Sequence, residues 1–227
     1  MNVAVAVDLR SQFGPARDQG KRPTCLAFAT SDAHAALRGA WQALSAEFAF
    51  YHAQRRGGRK PTDGATLSTI LEAIREDGQP VETGWPYLKD VPADSSQWLP
   101  PSGTTPVFRR AGRGSAGDVS AIIAELNQSK SVIALMRLSQ SFFSVPANGI
   151  IDEAPGEKPD LNLRHAVIAL GHGTRGADRM VLVRNSWGPR WGHQGYAWIT
   201  ERFLSARIFN LAHLMEDLSV STSPAAA

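Results

Sequence analysis

The apolar positions of the chain change period near its middle. From Cys25 the segment CLAFATSDAHAALRGAWQAL sets Cys25, Ala29, Ala33, Ala36, Leu37, Ala40 and Trp41 along one face. That is helical spacing, with Thr24 in the N-cap position and small residues where another element packs closely. A second helix is predicted over TLSTILEAIREDG, where Leu67, Ile70, Leu71 and Ile74 form the buried stripe and Gly78 supplies the stop. Residues 79–117 lose all periodicity and carry Pro80, Pro86, Pro92, Pro100, Pro101 and Pro106, the pattern of a long surface crossing. A short helix from about Asp118 to Gln128 follows. The runs SVIALMRL, NGII, HAVIALGHG, RMVLVRNSW and GYAWIT are then rich in branched and aromatic residues and bounded by turn formers, as strands are. A helical lobe precedes a β lobe, and the residues from Ser219 onward read as a disordered tail.

Composition narrows the classes. A chain of 227 residues with 43% hydrophobic and 20% charged residues suits a globular protein with a sizeable core. The N-terminal apolar stretch of MNVAVAVDLR is too short for a signal sequence or a membrane span, so a cytoplasmic, non-membrane protein is expected. The net charge of +3 gathers in clusters such as Arg55-Arg56-Gly57-Gly58-Arg59-Lys60 and Arg109-Arg110 with Arg113. No aromatic residues are interleaved with them, so they read as solvated loops and not as a nucleic-acid surface. No set of histidines, cysteines and carboxylates has metal-ligand spacing, and no cofactor is implied.

The single cysteine, Cys25, is either an inert small hydrophobe or a reagent. Its place in the first turn of a helix, where unpaired amides favour thiolate, suits a reagent. A hairpin with its turn near Arg175 would set His165 opposite Asn185, close enough for the asparagine amide to orient the imidazole. Cys25 then has the role of nucleophile, His165 that of base and acid, and Asn185 that of orienter. Gln19, six residues before Cys25, is placed to help the Cys25 amide hold an oxyanion. The acidic run Asp152, Glu153, Glu157 and Asp160 precedes His165 and reads as a solvated turn on the groove rim, with selection of basic substrates as the alternative.

This ordered set resembles the papain-like cysteine peptidases. The resemblance rests on Gln19-Gly20 before Cys25, Ala27-Phe28 after it, His165-Ala166-Val167, Asn185-Ser186-Trp187-Gly188, Trp191-Gly192 and Gly195-Tyr196, and it covers about residues 7–215. It implies an α+β papain-like two-lobed fold, with a helical lobe over about 11–107, an antiparallel β-barrel-like lobe over about 108–215 and a cleft between them. The whole would be one peptidase domain over 1–218, with 219–227 as the tail. It implies hydrolysis of peptide bonds through a thioester on Cys25, with Trp187 shielding the Asn185–His165 bond from water. Leu67, Leu135, Leu163 and Ala166 would line an apolar S2 pocket, and Ala65 stands where the family usually has a glycine that binds the substrate backbone. A dedicated maturation peptidase, a transpeptidase and a silent peptide-binding relative remain as alternatives.

Two departures from the family pattern stand out. Arg22 and the segment Asp63-Gly64-Ala65-Thr66 occur where the family usually has two disulfide-bonded cysteines, a paired loss that looks like a bacterial intracellular branch. The chain begins almost where mature family enzymes begin, which implies a regulatory partner in place of an inhibitory prodomain, beside the peptide or protein substrate. With one cysteine there is no internal disulfide to break, so excess reductant should leave the melting temperature unchanged in a thermal scan. A clear fall would reveal an intermolecular disulfide through Cys25.

Overall fold

The computed structural model describes residues 3–92 and 94–219. In chain order the elements are β1 (Ala4–Asp8), α1 (Cys25–Ala36), α2 (Ala46–Arg56), α3 (Leu67–Glu76), β2 (Arg110–Ala116), α4 (Val119–Leu126), β3 (Val132–Arg137), α5 (Gln140–Phe143), β4 (Ile150–Ile151), β5 (Arg164–Arg175), β6 (Asp178–Arg184), β7 (Tyr196–Thr200), α6 (Glu201–Ser205) and β8 (Ile208–Asp217). Helices thus dominate the first half and strands the second. The expected disordered tail falls, apart from Ser219, outside the described residues.

The sheet runs β2-β8-β3-β5-β6-β7-β4, with β1 pairing β5 beyond the stretch that β3 occupies. It is an open sheet rather than a barrel, and its β4–β7 pair is parallel. Strands β1, β2 and β8 carry no strong alternation and were not expected from the sequence. β2 reads RAGRGSA and is exposed along most of its length, so its pairing with β8, and not its composition, makes it a strand.

Helix α1 ends at Ala36, well before the Leu44 that apolar spacing suggested, because the chain turns through Arg38 and Gly39. Helix α2 was missed altogether. Ser45 caps it by accepting the Phe48 amide at 3.0 Å, and Arg55 and Arg56 close its last turn, so these two arginines belong to a helix and not to a loop. Helix α3 is as expected: Thr66 caps it, Ile70, Leu71 and Ile74 are buried, and Gly78 (φ +75°) ends it with its amide on the Ala73 carbonyl.

The β5–β6 hairpin turns at Gly176-Ala177, with Gly176 at φ +62°. The expected register would set Ile168 opposite Leu182, whereas Ile168 pairs with Arg184, after a bulge between Ala169 and Gly171. A turn two residues wide placed later than expected shifts the ladder, so His165 and Asn185 are not directly opposed.

Between the helices and the sheet lies a buried charge cluster. Asp32, on α1, accepts Arg17 Nε on Oδ1 at 2.7 Å and Arg184 Nε on Oδ2 at 2.9 Å. The Arg184 guanidinium also donates to the Gly14 and Pro15 carbonyls and to the Tyr196 hydroxyl. Removing one member of a buried charge group leaves the others uncompensated, at a cost of about 3–5 kcal/mol. Asp32→Ala should therefore lower the unfolding free energy by about that much in a urea titration, and a loss under about 1 kcal/mol would exclude a structural role for the cluster.

Candidate active site

Helix α1 opens on Cys25 itself. Its N-cap residue, Thr24, does not use its hydroxyl as a cap. Tyr87 donates its hydroxyl hydrogen to the Gln19 carbonyl at 2.7 Å, so the Thr24 hydroxyl donates to Tyr87 at 2.9 Å. The first amides of the helix are left without a side-chain partner. The backbone amides of Ala166 on β5, of Leu26 and of Cys25 itself act to lower the thiol pKa. Cys25 is a partly exposed residue, and burial of its sulfur pushes the thiol above its ordinary range, against the pull of those three amides. This direction runs against the free thiolate that the helix position alone suggested.

His165 is the second residue of β5 and is buried. Its Nε2 lies 2.7 Å from Asn185 Oδ1, and the same oxygen accepts the Ser186 amide at 2.8 Å. Because that oxygen accepts from both sides, the ring nitrogen facing it carries the hydrogen, and Nδ1 holds the lone pair. Asn185 lies just beyond β6, tied by its amide to the Gly195 carbonyl, and its side chain spans the register offset to the ring. Burial lowers the His165 pKa to about 4 although the Asn185 bond favours the charged ring. The imidazole is therefore neutral at pH 7, as a base must be.

Gln19 is buried and joined to the same turn. Its amide donates to the Ser186 carbonyl at 2.8 Å, and its Oε1 accepts the Ser186 hydroxyl at 2.7 Å. With Oε1 so fixed, Nε2 donates one hydrogen to the Arg22 carbonyl at 2.8 Å, and its second hydrogen has no partner among the described residues. Trp187 packs on the His165 ring at 4.7 Å between centroids. Phe142 of α5 touches both rings, at 5.7 and 5.4 Å, and its carbonyl accepts Trp191 Nε1.

The residues expected to line a substrate pocket are less tightly gathered. Leu135 and Ala166 are directly opposed in the β3–β5 ladder, and Leu163 is exposed just before β5. Leu67 stands over Gly114 of β2, and Ala65 lies in the loop before α3. The segment after Arg22 still lies against Gly64: the Pro23 carbonyl is 3.8 Å from where a Cβ on Gly64 would lie. Arg22 is instead tied to Glu47 of α2 at 2.6 Å, and Trp98 Nε1 donates to the same carboxylate.

The acidic run is not a free negative rim. Asp152 pairs with Arg202 and accepts Thr200, and Glu153 pairs with Arg207. Burial pushes Glu157 up, but bonds from Ser141 and from the Ala154 amide hold it at about 2. These three acids are engaged within the fold, and Asp160 accepts the Asn162 amide.

Sequence reasoning gave no role to Ser186, Tyr87, Phe142 or the Asp32 cluster. Ser186 was within reach, since it lies in the Asn-Ser-Trp run. Tyr87 and Phe142 sit in segments without periodicity, and only the fold brings them to the site.

The site thus holds a thiol at a helix start, an asparagine-oriented imidazole and a buried amide side chain. The chain belongs to the papain family: the family described as "Papain family cysteine protease" matches residues 3–212. It is 30% identical to Cysteine proteinase 3 of Entamoeba histolytica over 90% of this chain and 63% of that one. It is 29% identical to Peptidase 1 of Dermatophagoides farinae over 87% and 61%. The chain thus spans about 60% of the length of these relatives. Among solved structures it resembles xylellain, a cysteine protease from Xylella fastidiosa, with TM-score 0.72 and 21% identity over 92% of this chain and 84% of that one. Digestive procathepsin L 3 of Tenebrio molitor gives TM-score 0.72 at 20% identity over 95% and 71%. No helix among the described residues is long and apolar enough to cross a membrane.

The pKa of His165 sets the acid limit of any reaction that uses it as a base. An ordinary imidazole would be half protonated near pH 6.5, whereas burial delays that to about pH 4. The acid limb of kcat/KM on a peptide substrate should therefore lie near pH 4, with full activity already present at pH 6. A midpoint near 6.5 would show a solvated, unperturbed ring.

Proposed function

We propose that the chain is a cysteine peptidase that hydrolyses peptide bonds through a thioester on Cys25. The observation that carries this reading is the orientation of His165: its Nε2 is held by Asn185 Oδ1 at 2.7 Å, which leaves the lone pair of Nδ1 free to meet a thiol. His165 Nδ1 takes the thiol proton as the sulfur attacks the scissile carbonyl carbon. The proton moves within a buried pair, so neither charged group has to form alone, and the amides at the start of α1 stabilise the sulfur as it becomes negative. The oxyanion is held by the Cys25 amide and by the second Nε2 hydrogen of Gln19. The intermediate collapses, the C–N bond breaks, and His165 returns its proton to the leaving amine. Water, deprotonated by His165, then attacks the thioester and releases the acid and the free thiol.

Trp187 and Phe142 shield the His165–Asn185 bond from water. Leu135 and Ala166 form the wall of the pocket beside the sulfur, with Leu163 and Leu67 at its rim, which suits an aliphatic side-chain stem at P2. A transpeptidase or a maturation peptidase would use the same groups with another acceptor or a single substrate, and analysis of the products separates these. The lone cysteine and the Arg22–Glu47 pair in the place of a crosslink favour a reducing, cytoplasmic setting.

Cys25→Ala should abolish cleavage of an unstructured protein while leaving the circular dichroism spectrum unchanged, and retained turnover would end the assignment. Gln19→Ala should lower kcat by roughly 10² to 10³, the usual cost of losing one oxyanion donor. A kcat within a factor of about two of the parent would remove Gln19 from that role.

A further inference from the structure

Strands β3 and β5 bring two arginines face to face beside the site. Arg137 is directly opposite Arg164, next to the Met136–His165 pair and two pairs from Leu135–Ala166. Side chains alternate along a strand, so the arginines share a sheet face with Leu135 and Ala166. Directly opposed residues hold their Cβ atoms about 4.5–5.5 Å apart, where like charges repel. An arrangement of this kind is tolerated when something negative sits between the charges.

Among the described residues the pair meets only the π face of an aromatic ring and no anion. Elsewhere arginines that are buried or half-buried meet acids, Arg17 and Arg184 on Asp32, Arg22 on Glu47 and Arg207 on Glu153, whereas Arg137 is half-buried and Arg164 exposed. Among the described residues no carboxylate forms an ion pair with Arg137 or Arg164, and Arg137 Nε is buried without a hydrogen-bond partner. Both guanidinium groups lie over the ring of Phe209 on β8, at 5.8 and 5.9 Å from its centroid. Of the acids of the 152–160 loop, Asp152 is engaged by Arg202, Glu153 by Arg207 and Glu157 by Ser141, while Asp160 is exposed, accepts the Asn162 amide and forms no ion pair with either arginine.

We propose that Arg137 and Arg164 form an anion subsite of the substrate groove, which selects peptides with glutamate or aspartate at P2. The inference rests on the peptidase reading and names the substrate class of the same site. Leu135 and Ala166 flank the methylene stem of such a side chain, and the two guanidinium groups meet its carboxylate. Arg164 shares its strand face with Ala166, which the peptidase reading puts in the wall of the substrate pocket, so a substrate side chain lying along Ala166 is directed toward Arg164. The apolar P2 residue implied by family resemblance is thereby replaced by one that is apolar along its stem and charged at its tip.

The test uses three peptides that differ only in having Glu, Gln or Lys at P2. At low ionic strength kcat/KM should fall in the order Glu, Gln, Lys, with Glu ahead of Gln by about tenfold, or about 1.4 kcal/mol. The ratio should shrink in about 0.5 M salt. Arg164→Glu should reverse the order of the Glu and Lys peptides, and Arg137→Gln should reduce the Glu-to-Gln ratio should the first variant fail to fold. Equal cleavage of the Glu and Gln peptides by the parent protein, or a preference for Lys, overturns the subsite. A preference left intact by both substitutions in folded protein does the same. The peptides are also titrated onto Cys25→Ala by fluorescence anisotropy. There, tighter binding of Glu than Gln upholds the subsite even if no peptide is cleaved, a result that would defeat the peptidase reading alone, and equal binding overturns the subsite.

Discussion

The site depends on one buried contact, the carboxylate of Asp32 held between Arg17 and Arg184. Asp32 lies seven residues after Cys25, which is about two turns of α1 and therefore the same helix face. Arg184 immediately precedes Asn185. The ion pair between Asp32 and Arg184 at 2.9 Å thus fixes the roll and height of the helix that carries Cys25 against the strand that leads to Asn185. Arg17 ties in the loop that leads to Gln19. Burying these charges is costly unless every one is matched, and the Arg184 guanidinium meets the demand with two carbonyls and the Tyr196 hydroxyl as well as the carboxylate. Such a cluster has few alternative arrangements, which makes it a better alignment device than an apolar contact of similar area.

Around the sulfur the logic is reversed, because donors there are left open. Thr24 occupies the N-cap position but gives its hydroxyl hydrogen to Tyr87, and the freed amides at the start of α1 face the thiol. Gln19 has its oxygen fixed by Ser186 and one hydrogen by Arg22, which leaves its second hydrogen without a partner among the described residues. A helix end capped in the usual way would be more stable and would have less to offer a developing negative charge.

The second charge network supports the histidine side. Glu157 accepts the amide and hydroxyl of Ser141, in the short helix that carries Phe142, and Phe142 packs on both His165 and Trp187. A loop that looked like an acidic rim therefore serves to hold the aromatic cover of the imidazole in place. The unmatched charge of the region is positive and belongs to Arg137 and Arg164, which no single segment of sequence brings together.

What the sequence determined by itself was local. Cap residues and apolar spacing located the starts of α1 and α3 and the interiors of β3, β5, β6 and β7, because those signals act within a few residues. The ordered motifs around Gln19, Cys25, His165 and Asn185 marked the family. Tertiary structure decided the rest. β2 and β8 are strands because they pair with each other, α2 was hidden between polar and aromatic residues that a stripe count does not separate, and the hairpin register depended on a turn whose position the glycines alone did not fix. Whether a charge is free or matched was likewise beyond reach, since the partners of Asp32, Glu47, Glu157 and Arg207 lie far from them along the chain. The two unmatched arginines became visible only when β3 was laid against β5, because pairing across a sheet is a property of the ladder and not of either strand.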